Sequence, residues 1–233
     1  MTSTNPHVVR HYEEACKAAT IAAREDEKLN AIIERFTQWN TFSWTALKLM
    51  ELRELLGVSR SALELGSGMT TIVLGRVFEE RGGYLTSFEQ SEAHVKLYEE
   101  RLEELQPAGS TRLNFPAYVR EVDVISIPDR GICYDWRSWG CEIPDFLYVD
   151  GPDNRIEGST EQLICLDAEL IAMSANPPAT IVFDCRASTV RSFMLSPAAN
   201  KYDIEPSAFW VPDDQRPWYL QSMRHHTVAR LKA

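Results

Sequence analysis

Leu63-Glu64-Leu65-Gly66-Ser67-Gly68-Met69-Thr70-Thr71 is the stretch that decides how this chain folds. The apolar run Ser61 to Leu65 reads as a short strand that stops at a glycine–serine–glycine turn. Beyond the turn the spacing changes: Ile72, Val73, Val77 and Phe78 recur as one face of a helix. The two glycines permit a tight strand-to-helix turn and a close backbone approach by a ligand. Free N–H groups at the start of the following helix favour a carboxylate or phosphate. A lone G-x-G also serves as a turn that binds nothing, so the neighbouring segments must decide.

Those segments repeat the pattern. Gly82-Gly83 turns the chain, Tyr84 to Phe88 reads as a second strand, and an amphipathic helix runs from Ser91 to Leu105 until Pro107-Ala108-Gly109. A third strand is expected near Arg112 to Tyr118 or Val119 to Val124, followed by a long loop. Asp145 to Val149 forms a strand ending at Asp150-Gly151-Pro152, Thr160 to Ser174 a helix, and Thr180 to Phe183 a strand ending at Asp184. Closing strands are expected near Tyr202 to Glu205 and Thr227 to Leu231. This alternation predicts a parallel sheet with helices on both faces. Ahead of it, His7 to Phe36 and Trp44 to Leu56 read as helices, the second stopped by Gly57. The expected organisation is therefore a helical cap over 1–57 and an α/β domain over 58–233.

Composition narrows the partners. The 233 residues are 44% apolar and 25% charged, with a formal charge of −10. No run of Lys and Arg stands out, which argues against a protein held to nucleic acid by phosphate contacts. The acidity argues against an anionic membrane face. No apolar run approaches a bilayer span, and the first ten residues lack a signal-peptide core. Five cysteines without a C-x-x-C pair fit neither a disulfide framework nor a zinc site. A cytoplasmic protein is expected, with its cysteines as small core residues.

The acid after the second strand strengthens the first motif. In doubly wound folds an acid about 20 residues past the glycine loop accepts ribose hydroxyls, and Glu89 stands at that place. The plainer reading is a solvated glutamate opening a helix.

At this point ALELGSGMTT followed by LTSFEQ resembles the first two motifs of class I S-adenosylmethionine-dependent methyltransferases. FLYVDGPDNR and IVFDCR resemble the fourth and fifth strands of a small bacterial subgroup whose first motif reads G-S-G-x-T-T, with Thr70 where a third glycine is usual. The resemblance runs from about Ala62 to Arg186. It implies a Rossmann-like, doubly wound, mostly parallel seven-stranded sheet with S-adenosylmethionine as cofactor. It further implies that Glu64, Gly66, Ser67, Gly68 and Thr70 line the methionine half, that Glu89 holds the ribose, and that Gln90 and Asp123 lie on the adenine side.

Asp150 and Asp184 close neighbouring strands, where open α/β sheets bind ligands. Asp150 is the expected catalytic residue, as proton acceptor or substrate orienter, with Asp184 and Arg186 facing the substrate. Paired aspartates there also suit Mg²⁺ or Ca²⁺. Cys185 is a poor ligand for a hard cation and Arg186 neutralises an acid that a metal would otherwise occupy, so a divalent cation is not favoured. His7 and His11 read as a helix-surface pair and His94 as exposed or cofactor-side. His225 and His226 precede a late strand, where their side chains would face opposite ways, so at most one reaches the cleft. Tyr134, Trp136, Trp139, Phe209, Trp210, Trp218 and Tyr219 read mostly as core under long loops, and Arg191 and Arg216 as candidate anion clamps.

The expectation is a methyltransferase with a small-molecule acceptor, no nucleic acid or membrane partner, and a homodimer through the first helices as an option. A negative rim of Glu64, Glu89, Asp150 and Asp184 suits a sulfonium cation. The competing readings are a cofactor-binding pseudoenzyme that partners other proteins and an enzyme using another adenosine nucleotide.

Overall fold

The computed structural model describes residues 51–104, 117–136, 142–153, 163–184, 186–206 and 226–233, with scattered helical positions between Lys17 and Asn30. Residues 51–56 are helical and end at Gly57, whose φ of +53° and N–H bond to the Glu54 carbonyl make it the stop. The remaining expectations for 1–50 lie outside the described residues.

Strand β1 (Ser61–Leu65) leads into helix α1 (Met69–Arg81), β2 (Tyr84–Glu89) and α2 (Glu92–Glu104). Then come β3 (Ala117–Glu121), β4 (Val124–Ile127), β5 (Gly131–Tyr134) and β6 (Phe146–Val149). The chain closes with α3 (Asp167–Ala172), β7 (Thr180–Asp184), α4 (Ala187–Leu195), a 3-10 turn (Pro197–Lys201), β8 (Tyr202–Pro206) and β9 (His226–Leu231). Seven strands form one sheet in the order β3-β2-β1-β6-β7-β9-β8. All its pairs are parallel except those of β9, which runs antiparallel between β7 and β8. Strand order reverses between β1 and β6, the place where open α/β sheets form a ligand crevice.

The period-two alternation of the strands separates two cores. Ala62, Leu85, Phe146, Tyr148 and Val182 face Ile72, Leu74, Val77 and Phe78 of α1, and Leu52 and Leu56 join them. Leu63, Leu65, Leu147, Val149, Ile181 and Phe183 face Ala168, Ile171 and Ala172 of α3 and Val190 and Phe193 of α4. The fold is thus the expected Rossmann-like sheet, covered on both faces. No helix among the described residues is long and apolar enough to cross a membrane.

Two expectations are corrected. The stretch after β3 is an antiparallel hairpin, with Val124 opposite Tyr134 and Ile127 opposite Gly131, and no long loop precedes Trp136. Asp129, at φ +60°, makes its turn. The expected helix from Thr160 is helical among its described residues only from Asp167. Before it, the chain is committed to β5: Ile132 N–H bonds the Ile164 carbonyl at 2.9 Å and Leu166 N–H bonds the Ile132 carbonyl at 2.8 Å. The third strand straddles the two ranges expected for it.

One contact fixes the crevice. A Cβ at Gly66 (φ +88°) would lie 2.7 Å from Gly151 N, and a Cβ at Gly151 would lie 2.6 Å from Gly66 N. Neither glycine tolerates a side chain. Gly66→Ala is expected to lower the unfolding free energy by about 3 kcal/mol, from positive-φ strain plus overpacking. Gly82→Ala shares the positive φ but has open space around it, so about 1 kcal/mol is expected. Urea denaturation of both variants measures the difference; equal losses would remove the contact from the account.

Candidate functional site

Glu64 lies in β1 on the face shared with Ala62, and its side chain is fully buried. The Thr70 and Thr71 hydroxyls each donate to one of its oxygens. Thr71 Oγ1 also accepts the Gly68 N–H at 2.8 Å, tying the glycine loop to the start of α1. Burial pushes the Glu64 carboxyl up to about 8, with the bonds from Thr70 and Thr71 opposing the rise and the Asp150 charge adding to it. Glu64 and Thr70 therefore act as a brace beneath the loop.

Glu89 ends β2 and is almost fully buried, and its carboxylate gathers four donors. Oε2 accepts the Ser67 N–H at 3.1 Å and the Ser67 hydroxyl at 2.8 Å. Oε1 accepts the N–H groups of Gln90 at 2.8 Å and Ser91 at 3.0 Å. The exposed His94 ring lies 3.9 Å from Oε2. Gln90 reaches across the crevice, where its Oε1 accepts the Asp153 N–H at 2.9 Å. Asp123 is exposed, two residues beyond β3, and its carbonyl accepts the Asp135 N–H. Gly68 differs from Gly66: its φ is −164°, and an added Cβ would meet only Thr70 Oγ1 at 3.7 Å.

On the other side of the switch point stand Asp150 and Asp184. Val149 pairs with Phe183, so these aspartates occupy adjoining positions at the strand ends. Arg186 clamps the 150–152 turn: its guanidinium donates to the carbonyls of Asp150 and Pro152, and its Nε lies 3.6 Å from Asp150 Oδ1. The cation expected to neutralise this acid is in place. Asp184 Oδ1 is 3.9 Å from Nε2 of His226, which is the first residue of β9 and completely buried. His226 Nδ1 meets Glu51 Oε2 at 2.9 Å.

Glu51 and Asp167 went unnoticed in the sequence. Asp167 begins α3, fully buried; burial lifts its carboxyl to about 7 while the Tyr134 N–H, bonding Oδ1 at 2.8 Å, opposes the rise. Tyr134 sits on β5 behind the crevice, with burial and the Glu89 charge pushing its phenol up. Nothing in local spacing marks either acid. Among the described residues no group of three His, Cys, Asp or Glu side chains assembles to hold a metal ion. His7, His11, His225, Cys185, Trp139, Arg216 and the aromatic residues 209–219 lie outside the described residues.

No family model matches the chain, and no curated protein matches it in sequence. Its structure is similar to the SAH-bound Podospora anserina methyltransferase PaMTH1, at 13% identity over 100% of this chain and 99% of that one, with a TM-score of 0.49. It is also similar to the C-terminal domain of precorrin-6Y C5,15-methyltransferase from Rhodobacter capsulatus, at 12% identity over 84% and 92%, TM-score 0.47. A dimethyladenosine transferase from Plasmodium falciparum is similar at 8% identity over 79% and 60%, TM-score 0.42.

The raised carboxyls predict a pH dependence of stability. Between the ordinary Glu value of 4.5 and about 8 the folded protein keeps a proton on Glu64 that the unfolded chain releases. Stability from this group is full below pH 4.5 and is lost as pH rises through 8. Glu64→Gln is expected to flatten the fall by about 1 kcal/mol per pH unit in that window. Asp167→Asn acts likewise from 3.8 to about 7. Denaturant unfolding at a series of pH values reads both; parallel curves would refute the assignment.

Proposed function

We propose that this protein is an S-adenosylmethionine-dependent methyltransferase acting on a small protic molecule, with a cap over 1–57 and the catalytic fold over 58–233. The observation that carries this reading is the Glu89 carboxylate, held at the carboxyl end of β2 by donors from the glycine loop and from α2's approach. It stands beside the strand-order reversal, where doubly wound folds place the acid that accepts ribose hydroxyls, and the Ser67 hydroxyl on Oε2 would give way to them. The resemblance of the two sequence motifs to class I methyltransferases agrees with it.

The chain's residues fit the cofactor. An added Cβ at Gly68 would meet Thr70 Oγ1 alone, at 3.7 Å, so the backbone there leaves room for a ligand to approach. Helix α1 has no acid in its first turn, so its positive end remains for the cofactor's carboxylate. Glu89 would hold the ribose, Gln90 and Asp123 the adenine side, and the 66–68 loop the methionine, with Glu64 and Thr70 bracing that loop. When bound, the cofactor supplies an electrophilic methyl on a sulfonium. Asp150, held by Arg186, orients the acceptor, with Asp184 beside it. The protein's contribution is largely to position donor and acceptor.

Calorimetry with S-adenosylhomocysteine and with NAD tests the cofactor. S-adenosylhomocysteine is expected to bind, and Glu89→Ala to weaken it by about 10- to 100-fold, the effect of losing a buried polar contact. Binding of NAD alone would overturn the reading, and an unchanged affinity would displace the ribose site. Methyl-labelled cofactor offered to pooled small hydroxyl, amine and thiol compounds, and separately to RNA, tests the acceptor. Label in the small-molecule pool is expected, falling at least tenfold in Asp150→Asn. Label in RNA alone would overturn the acceptor class.

A further inference from the structure

Helix α4 has a second face that the crevice does not use. It buries Thr189, Val190 and Phe193 against the sheet. Ser188, Arg191, Ser192 and Leu195 fall on the opposite side, brought together by three-to-four spacing. They line a groove of about 570 Å³, a size that suits a small ligand. Arg130 from the hairpin turn, Ile164, Glu169 of α3 and Pro197 share in the lining. None of the residues assigned above to cofactor or acceptor belongs to it.

The charges in this groove do not cancel. Two guanidiniums face one carboxylate, that of Glu169, among the described residues. Arg130 Nη2 donates to Glu169 Oε1 at 2.6 Å. That contact spends one of the five N–H donors of Arg130 and all the negative charge in the lining. Arg191 is exposed and has no partner among the described residues. In a chain with 34 acids against 24 basic side chains, general surface pairing would have given it one. The Ser188 and Ser192 hydroxyls also lack a partner among the described residues, whereas the Ser196 hydroxyl donates to the Phe193 carbonyl at 2.8 Å. The groove therefore offers a surplus positive charge, one uncommitted guanidinium fork and two uncommitted hydroxyls.

We propose that this groove is a second ligand site, for a small organic phosphate. Arg191 takes two phosphate oxygens through its fork, the geometry for which a guanidinium is suited. Ser188 and Ser192 donate to the remaining oxygen, and the N–H groups that Arg130 has left face the same charge. A carboxylate has only two oxygens and would leave part of this donor set unused. The rest of the lining is apolar. Leu195 is 78% exposed and Ile164 37%, and with Pro197 they present surface that an inorganic ion would leave in water. The ligand thus carries an apolar body beside its phosphate. Cation binding does not fit, because the single acid of the lining is already held by Arg130. The site stands whether or not the crevice binds S-adenosylmethionine, since the two share no residue.

Amide ¹H–¹⁵N spectra of the full chain, titrated with phenyl phosphate, phenol, benzoate and inorganic phosphate, test this. Phenyl phosphate is expected to move the amides of Ile164, Ser188, Arg191 and Ser192 together, with a Kd of about 1 mM. Phenol and inorganic phosphate, each lacking half of the contact, are expected to bind about fivefold more weakly or worse. Arg191→Gln changes an exposed side chain and is expected to weaken phenyl phosphate by about tenfold. Arg191→Lys is expected to lose less, because it keeps the charge without the fork. Groove amides that stay still up to about 20 mM phenyl phosphate overturn the site, as does an affinity unchanged in Arg191→Gln. Movement centred on 66–71 and 89–91 instead would place the anion at the glycine loop and the start of α1, and would equally overturn it. Benzoate binding as tightly as phenyl phosphate would refute the phosphate class.

Discussion

The backbone contact between Gly66 and Gly151 is the constraint on which the site depends. β1 and β6 are hydrogen-bonded neighbours that feed loops in different directions. Because neither glycine carries a Cβ, the two loops touch, with Gly66 N–H still bonded to the Phe88 carbonyl and Asp150 N–H to the Leu65 carbonyl. Tyr134 Oη closes the gap from below, 2.7 Å from where a Cβ on Gly151 would sit. This approach sets Ser67 against Glu89 on one side and Asp150 against Arg186 on the other. A side chain at either glycine would push the Ser67–Glu89 side away from the Asp150–Arg186 side.

Four acids do converge at the carboxyl edge, but they do not add up to four negative charges. Burial raises the Glu64 carboxyl to about 8, against the pull of its threonine bonds, and so favours its neutral form. Glu89 spreads its charge over four donors. Asp150 faces a guanidinium and Asp184 an imidazole. The rim inferred from sequence is therefore a set of differently compensated groups. Uncompensated charges so close together would disfavour their own ionisation.

Local periodicity made much of this legible. The strand–glycine–helix unit at 61–81, the acid closing β2, and the paired aspartates closing β6 and β7 all follow from patterns within a few residues, and the parallel sheet with helices on both faces follows from their alternation. The hairpin at 124–134 was missed although Pro128-Asp129-Arg130-Gly131 is a turn signal. Its strands are short, and β4 presents exposed and half-buried positions without a clean alternation. The early residues of the expected helix from Thr160 misled because apolar Leu163 and Ile164 fit a helical face, yet backbone pairing with β5 claimed them. Arg186 was visible as a charge, but its grip on the carbonyls of 150 and 152 was not. The Glu51–His226 pair joins positions 175 residues apart, and no local pattern encodes such a meeting.

That pair also raises an energetic question. Leu52 and Leu56 bind the 51–56 turn to the same core as Phe146 and Val182, so docking this segment does not require a buried acid. Placing Glu51 and His226 away from water costs desolvation that their attraction offsets only in part, and well-packed apolar residues in such places are often as stable or more so. Among the described residues Glu51 Oε1 has no hydrogen-bond partner, which adds to the cost. Stability alone is therefore a poor reason for the pair. The 51–56 turn thus brings to His226 a buried carboxylate that the packing of Leu52 and Leu56 does not call for.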